Sequence, residues 1–308
     1  MNTFDLQIQS TSSDGKYSPR DLVRMARDLG LATIALTDHD TVGGVPEAVA
    51  AGQEFGVEVI AGIELSSRYK GAVSQVRVRG FHILGYGIDL EHPSLLSALA
   101  RLQELRLQRA EEMVRRLQKL GFIVSYEGVL ARASGGVVGR PHITLEVIEN
   151  PANAARLEGI KTIGDFIRRY LVPGAPAYVE VDEAHDLSTA EAIALIHEAG
   201  GVAVWSHPAV HFAETLERLE AVLKELLAFG LDGVEVFNPS HTESAVKLLY
   251  DLTEHYQLMR TAGSDFHREP APGITGDGGA TLGDFATYGL SIVSILPELK
   301  AKMARKSP

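Results

Sequence analysis

Several short polar clusters in this sequence hold residue types that bind divalent cations, and each follows directly on an apolar run. They are Asp38-His39-Asp40, Glu64, Ser206-His207-Pro208 and Asp265-Phe266-His267, with His82 inside a further run. Carboxylates and imidazoles gathered at one place suit Zn²⁺, Mn²⁺ or Fe²⁺. Two such ions roughly 4 Å apart can clamp the attacking and leaving oxygens of a phosphoester. Phosphate monoesters are so slow to hydrolyse unaided that about 20 kcal/mol of barrier must be removed, and metal-activated water is an economical way to do it. The chain has no cysteine, so thiolate zinc sites, iron–sulfur clusters and cysteine nucleophiles are excluded, and imidazole and oxygen must supply the ligands.

Such residues converge only if the elements before them are parallel and adjacent. Apolar, β-branched runs fall at residues 4–9, 32–37, 57–63, 81–86, 201–205, 233–237 and 258–262, and most alternate with segments of helical period. The spacing predicts helices over 19–29, 46–55, 189–199, 215–229 and 243–255. The first has a Ser18-Pro19 start and an apolar face of Leu22, Met25, Ala26 and Leu29. Repeated βα units of this kind make a barrel, and the residues after the strands then share one rim, where such folds carry their active sites. Residues 93–178 break the rhythm, with helices expected over 94–120 and 163–171, and read as a helix-rich insertion capping a barrel made of 1–92 and 179–308. The Leu95, Leu99, Leu102, Leu105 stripe is expected to be a core face. Residues 269–279 read as a mobile loop and 300–308 as a basic tail.

With 308 residues, 45% hydrophobic and 22% charged, the chain has the composition of a globular domain. A net charge of −11 argues against a broad face for long duplex nucleic acid. An anionic substrate would need local rescue by metal ions or clustered arginines. No stretch approaches about 18 apolar residues, and the first residues lack a signal-peptide pattern, so no membrane partner and a cytoplasmic location are expected. The sequence leaves the oligomeric state open.

Eight motifs in order, DLQIQSTSSDG, ALTDHDTVGG, AGIELSS, GFHILGYGID, GRPHIT, GGVAVWSHPA, GVEVFNPSH and AGSDFH, resemble those of the PHP (polymerase and histidinol phosphatase) family, in its stand-alone phosphoesterase branch. The resemblance runs over nearly the whole chain. It implies a distorted (β/α)₇ barrel of α/β class whose site holds metal ions, here one to three, with Mn²⁺ favoured over Zn²⁺ or Fe²⁺. It implies metal-ligand roles for Asp14, His39, Glu64, His82, His207, Asp265 and His267, with Glu64 bridging two ions and Glu64, His207 and Asp265 catalytic. Arg106, Arg109, Arg140 and His142 match positions that hold the substrate's phosphate in similar enzymes. The implied substrates are small phosphorylated molecules: nucleotides such as 3′,5′-bisphosphates, or the 5′ ends of short oligonucleotides.

The chain departs from the family in a longer segment between Glu64 and His82 and, with more consequence, in its first strand. The first strand of the family ends Asp-Leu-His-x-His-Ser, whereas this one reads Asp5-Leu6-Gln7-Ile8-Gln9-Ser10. Residues two apart on a strand point the same way, so both amides should face the site as weak ligands at a depleted metal position. Three readings follow: a phosphoesterase with a reduced metal set, a catalytically weak homologue that binds nucleotides or phosphorylated metabolites, and a C–N hydrolase, against which the arginines speak. For single residues, structural roles compete. His207 precedes Pro208 and could simply close a turn in the extended conformation that proline imposes on its neighbour. Arg106 and Arg109 could belong to a solvated helix face.

Overall fold

The computed structural model describes residues 3–72, 76–180, 186–212, 215–269 and 280–306. The elements run β1 (Phe4–Ile8), α1 (Pro19–Asp28), β2 (Thr33–Leu36), α2 (Val45–Phe55), β3 (Glu58–Lys70), β4 (Arg77–Tyr86), α3 (Pro93–Lys119), α4 (Tyr126–Ala133), α5 (Arg140–Ile148), α6 (Ile163–Tyr170), α7 (Thr189–Glu198), β5 (Val202–Trp205), α8 (Leu219–Ala228), β6 (Gly233–Phe237), α9 (Glu243–His255), β7 (Met259–Ala262) and α10 (Ile295–Lys306). The strands form one sheet in sequence order. Its two ends meet where Gln9 N–H donates to the Phe266 carbonyl at 2.9 Å, beside an Ile8–Phe266 bridge, so the sheet is a nearly closed barrel. Gly263 permits that approach, since a Cβ there would lie 2.5 Å from Gln7 Cβ.

The pairing is not uniformly parallel. β1 to β3 and β5 to β7 are parallel, whereas β4 is antiparallel to both β3 and β5. A hairpin, not a helix, joins β3 to β4. For that reason β4 starts at the rim where β3 ends, and His82 lies within its strand, opposite Ser66, instead of after it.

Local signals explain most helix starts. The Ser18 side chain accepts from Asp21 N–H at 3.1 Å with Pro19 behind it, and Ser188 and Glu191 cap α7 reciprocally. The buried residues of α1 are Pro19, Leu22, Val23 and Ala26, with the expected Met25 and Leu29 packed part-buried against the same core. Leu216–Arg218 form a separate 3₁₀ turn, so α8 begins only at Leu219.

Two apolar clusters organise the interior. The barrel's contains Phe81 stacked at 4.9 Å on Tyr69 and 5.3 Å on Trp205. The other lies entirely within residues 110–178. At 27 residues α3 spans about 40 Å and serves both: Leu95, Leu99 and Leu102 pack in the barrel, and Met113, Val114 and Leu117 in the second cluster. Leu105, Arg106 and Arg109 fall between, where the helix crosses the barrel mouth and lines a cavity, so Leu105 is not a core residue.

The expected basic tail is helical as far as Lys306. Lys302 and Lys306 of α10 reach Asp232 at 3.0 and 2.7 Å, where His197 also bonds the carboxylate at 2.8 Å. The loop expected at 269–279 lies outside the described residues from 270 onward. Among the described residues, no helix is long and apolar enough to cross a membrane.

Candidate metal centre

Strand ends carry the candidate ligands to one mouth: Asp14 follows β1, His39 follows β2, Glu64 and His82 lie on β3 and β4, His207 follows β5, and Asp265 and His267 follow β7. Glu64 is fully buried at the centre. Its Oε1 meets His82 Nδ1 at 2.8 Å and His207 Nε2 at 3.0 Å, and its Oε2 lies 3.8 Å from His39 Nδ1. His267 Nε2 stands 3.4 Å from Asp14 Oδ1, and its Nδ1 3.8 Å from Asp265 Oδ1. The His39 ring links the halves, 4.9 Å from that of His82 and 6.0 Å from that of His267.

Backbone strain collects here. Asp40, His207 and Asp265 have positive φ (51°, 29° and 54°), a region that costs an L-residue roughly 1–3 kcal/mol and persists where surroundings over-determine it. His207 is therefore not in the extended conformation expected before Pro208. Its N–H donates to Glu235 Oε2 at 2.9 Å while its ring is held by Glu64, and together these bonds fix the left-handed turn.

The charges are coupled. Burial alone would raise the Glu64 carboxyl, but His39, His82 and His207 hold it well below its ordinary 4.5. Burial opposes the charge on His207, yet the bond to Glu64, with Asp265 and Glu235 behind it, pushes its pKa up to about 9. His267 is raised to about 10 against burial by Asp14 and Asp265. Burial dominates at His82, whose pKa is lowered.

Two groups of atoms, Asp14/His39/His267 and His39/Glu64/His82, each lie within 4.8 Å of one another. Buried Asp14 Oδ1, His39 Nδ1, His207 Nδ1 and Asp265 Oδ1 have no hydrogen-bond partner among the described residues. Orphaned oxygen and imidazole donors at such spacing fit a divalent cation. The Gln7/Gln9 corner differs, since both amides donate to Glu64 Oε2, at 3.1 and 2.7 Å.

Beside the centre, α3 and α5 line a cavity of about 200 Å³ that also touches Asp14, His39 and His82. Its wall carries three of the four expected phosphate-binding side chains, in two different states. Arg106 is engaged, with Asp40 Oδ2 at 2.5 and 2.7 Å and Ser66 Oγ at 2.8 Å, so it ties α3 to the loop bearing His39. Asp40 also accepts from Ser66 N–H at 2.7 Å. Arg109 and Arg140 have no ion pair or hydrogen bond among the described residues. Burial, and then Arg106 and Arg140, bring Arg109 down to about 10, and burial and Arg106 lower Arg140. His142 turns back to its own helix, where Nδ1 accepts from Gly139 N–H at 3.0 Å, and it does not line the cavity.

Sequence reading passed over several buried polar residues. Asp38 accepts from Ser10 and Ser13, and Asp5 from Ser264, so these carboxylates brace the loops behind the ligands. Glu235 is fully buried, its pKa raised well above 4.5 by burial and by Asp265 and Glu64, and its Oε1 has no hydrogen-bond partner among the described residues. A carboxylate inside the apolar run Gly233–Phe237 was the available signal.

The PHP domain family matches residues 5–140. A 5′-3′ exoribonuclease of Haemophilus influenzae is 34% identical over 86% of this chain and 89% of its own length. A 3′,5′-nucleoside bisphosphate phosphatase of Chromobacterium violaceum is 32% identical over 99% of each chain. Among solved structures, one titled a metal-dependent phosphoesterase of Bifidobacterium adolescentis superposes with a TM-score of 0.79 at 28% identity, covering 97% of this chain and 96% of that one.

Proposed function

The chain belongs to the PHP domain family, and from that premise we propose that it is a metal-dependent phosphoesterase hydrolysing phosphate monoesters of nucleotides or of short oligonucleotides. One observation carries the reading: buried ligand groups and two arginines that make no hydrogen bond or ion pair among the described residues open onto the same cavity. Cations pressed together in a desolvated wall are costly unless an anion completes them.

Asp14, His39 and His267 would hold one ion, and Glu64 and His82, with His39 within reach and His207 against the same Glu64 oxygen, another, with Mn²⁺ favoured and Zn²⁺ or Fe²⁺ also suited to the donors. Such ions, when bound, supply a Lewis acid and an activated water at neutral pH. The chain's own residues do the rest. Arg109 and Arg140 bind and orient the phosphate, Arg106 holds the His39 loop in place, and residues 93–178 act as a cap that screens the mouth from bulk water. His207, Asp265 and Glu64 are the catalytic residues. The position flanked by Gln7 and Gln9 is weakened. That weakening favours a second reading, a catalytically feeble protein that binds the same ligands.

The test is turnover of a panel containing a nucleoside 3′,5′-bisphosphate and a 5′-phosphorylated trinucleotide, with Mn²⁺ and after EDTA treatment. Release of inorganic phosphate that EDTA abolishes and Mn²⁺ restores is the expected result. Micromolar binding of either ligand without turnover would install the second reading.

A further inference from the structure

Around Glu64, every acceptor position is in use. A carboxylate offers about four lone-pair positions, two on each oxygen. On Oε2 both are taken by carboxamide N–H groups, Gln7 Nε2 at 3.1 Å and Gln9 Nε2 at 2.7 Å. On Oε1 the neighbours are His82, His207 and the Ser206 hydroxyl, the last at 3.1 Å. The two sides differ in kind. An imidazole can exchange its proton for a cation, whereas a carboxamide N–H cannot.

The amide orientations follow from the bonding network and are not interchangeable. Ser240 N–H donates to Asn238 Oδ1 at 2.9 Å, and the Ser240 hydroxyl does so at 2.6 Å. That fixes Asn238 with its Nδ2 toward Gln7 Oε1, at 3.2 Å. Gln7 must then present Nε2 to Glu64 and to Ser206 Oγ, the latter at 3.0 Å. Turning its oxygen inward would set Nε2 against Nδ2 and leave Glu64 facing an oxygen. Gln9 is directed by Glu64 itself, which as an ionised carboxylate only accepts.

We propose that in this chain the paired carboxamides of Gln7 and Gln9 replace the cation of that corner, so that the centre takes at most two ions and Glu64 binds metal through Oε1 alone. This deepens the phosphoesterase reading, on which it rests. A weak ligand pair would still present oxygens. This pair presents hydrogens, that of Gln7 held there by Asn238, and satisfies both acceptor positions of Glu64 Oε2 without metal. A buried carboxylate satisfied in this way pays no penalty for the absent ion.

The test is the count of bound Mn²⁺ per chain, by equilibrium dialysis and elemental analysis, in the wild type, Gln7→Ala/Gln9→Ala and Gln7→His/Gln9→His proteins. Two ions or one in the wild type, the same number after alanine replacement, and one more in the histidine variant are expected. Three ions in the wild type, or loss of an ion on alanine replacement, would overturn the proposal. Should the histidine variant not fold, the other two counts still decide. Two ions without turnover of any ester would overturn the functional reading and leave this inference standing, whereas no bound ion would overturn both.

Discussion

Replacing Glu64 with glutamine should lower kcat for a nucleotide phosphomonoester on the order of 10³-fold or more, because the change removes both a metal ligand and the charge that organises three imidazoles. It leaves the shape of the side chain intact, so the loss reads electrostatics and ligation, not packing. A second readout separates this from misfolding. In the metal-free wild type, His207 has its pKa raised to about 9 from an ordinary 6.5, so the stability it contributes is complete below pH 6.5 and is lost as pH rises through 9. Glu64 is depressed below 4.5, so its contribution is complete above that value and is lost as pH falls. Metal-free wild-type protein should therefore resist thermal unfolding best between those limits. Glu64→Gln should flatten the profile, and an NMR titration should find the His207 pKa well below 9. A variant that keeps the wild-type pH profile and most of its turnover would remove Glu64 from the centre.

The second large effect belongs to the basic wall. A charge-assisted hydrogen bond contributes about 1.5–3 kcal/mol, so two of them on one phosphate amount to about 3–6 kcal/mol. At about 1.4 kcal/mol per tenfold change, Arg109→Ala/Arg140→Ala should lower kcat/KM by roughly 10²–10⁴. Stability should rise slightly or stay the same, since both side chains are buried, Arg106 opposes the charge on each, and neither makes an ion pair among the described residues. Improved or unchanged melting together with lost activity is the signature of a ligand site; lost melting would mean that the arginines hold the cap in place. Arg106→Ala should behave in that second way, because its fork joins Asp40 and Ser66 of the barrel to α3.

The sequence announces the centre because the ligands follow apolar runs, and strand ends on one rim are neighbours whatever their separation in the chain. It does not announce the reversed β4, since an apolar run has no direction and the joining segment has no helical period to mark a crossover. Nor does it separate the four expected phosphate contacts. Arg106 and Arg109 share a helix face, and only the packing of α3 against Asp40 engages one and leaves the other open. The resemblance places His142 at the phosphate, whereas its Nδ1 caps its own helix, a local bond that histidine makes as readily. The last helix was read as a tail because its lysines suggest solvent, while their partner, Asp232, precedes a strand some 70 residues earlier. That Gln7 and Gln9 face inward follows from strand periodicity, but which amide atom of Gln7 points at Glu64 depends on Asn238 and Ser240, which follow a strand more than 200 residues later in the chain.

Anomalous diffraction from crystals soaked in Mn²⁺ tests most directly whether these dispersed acids and imidazoles form a single cation-binding mouth. The expected map has one peak among Asp14, His39 and His267 and a second against Glu64, His82 and His207, with none between Gln7 and Gln9. A map with no peak at either group, in protein that still releases phosphate in the presence of Mn²⁺, would contradict it.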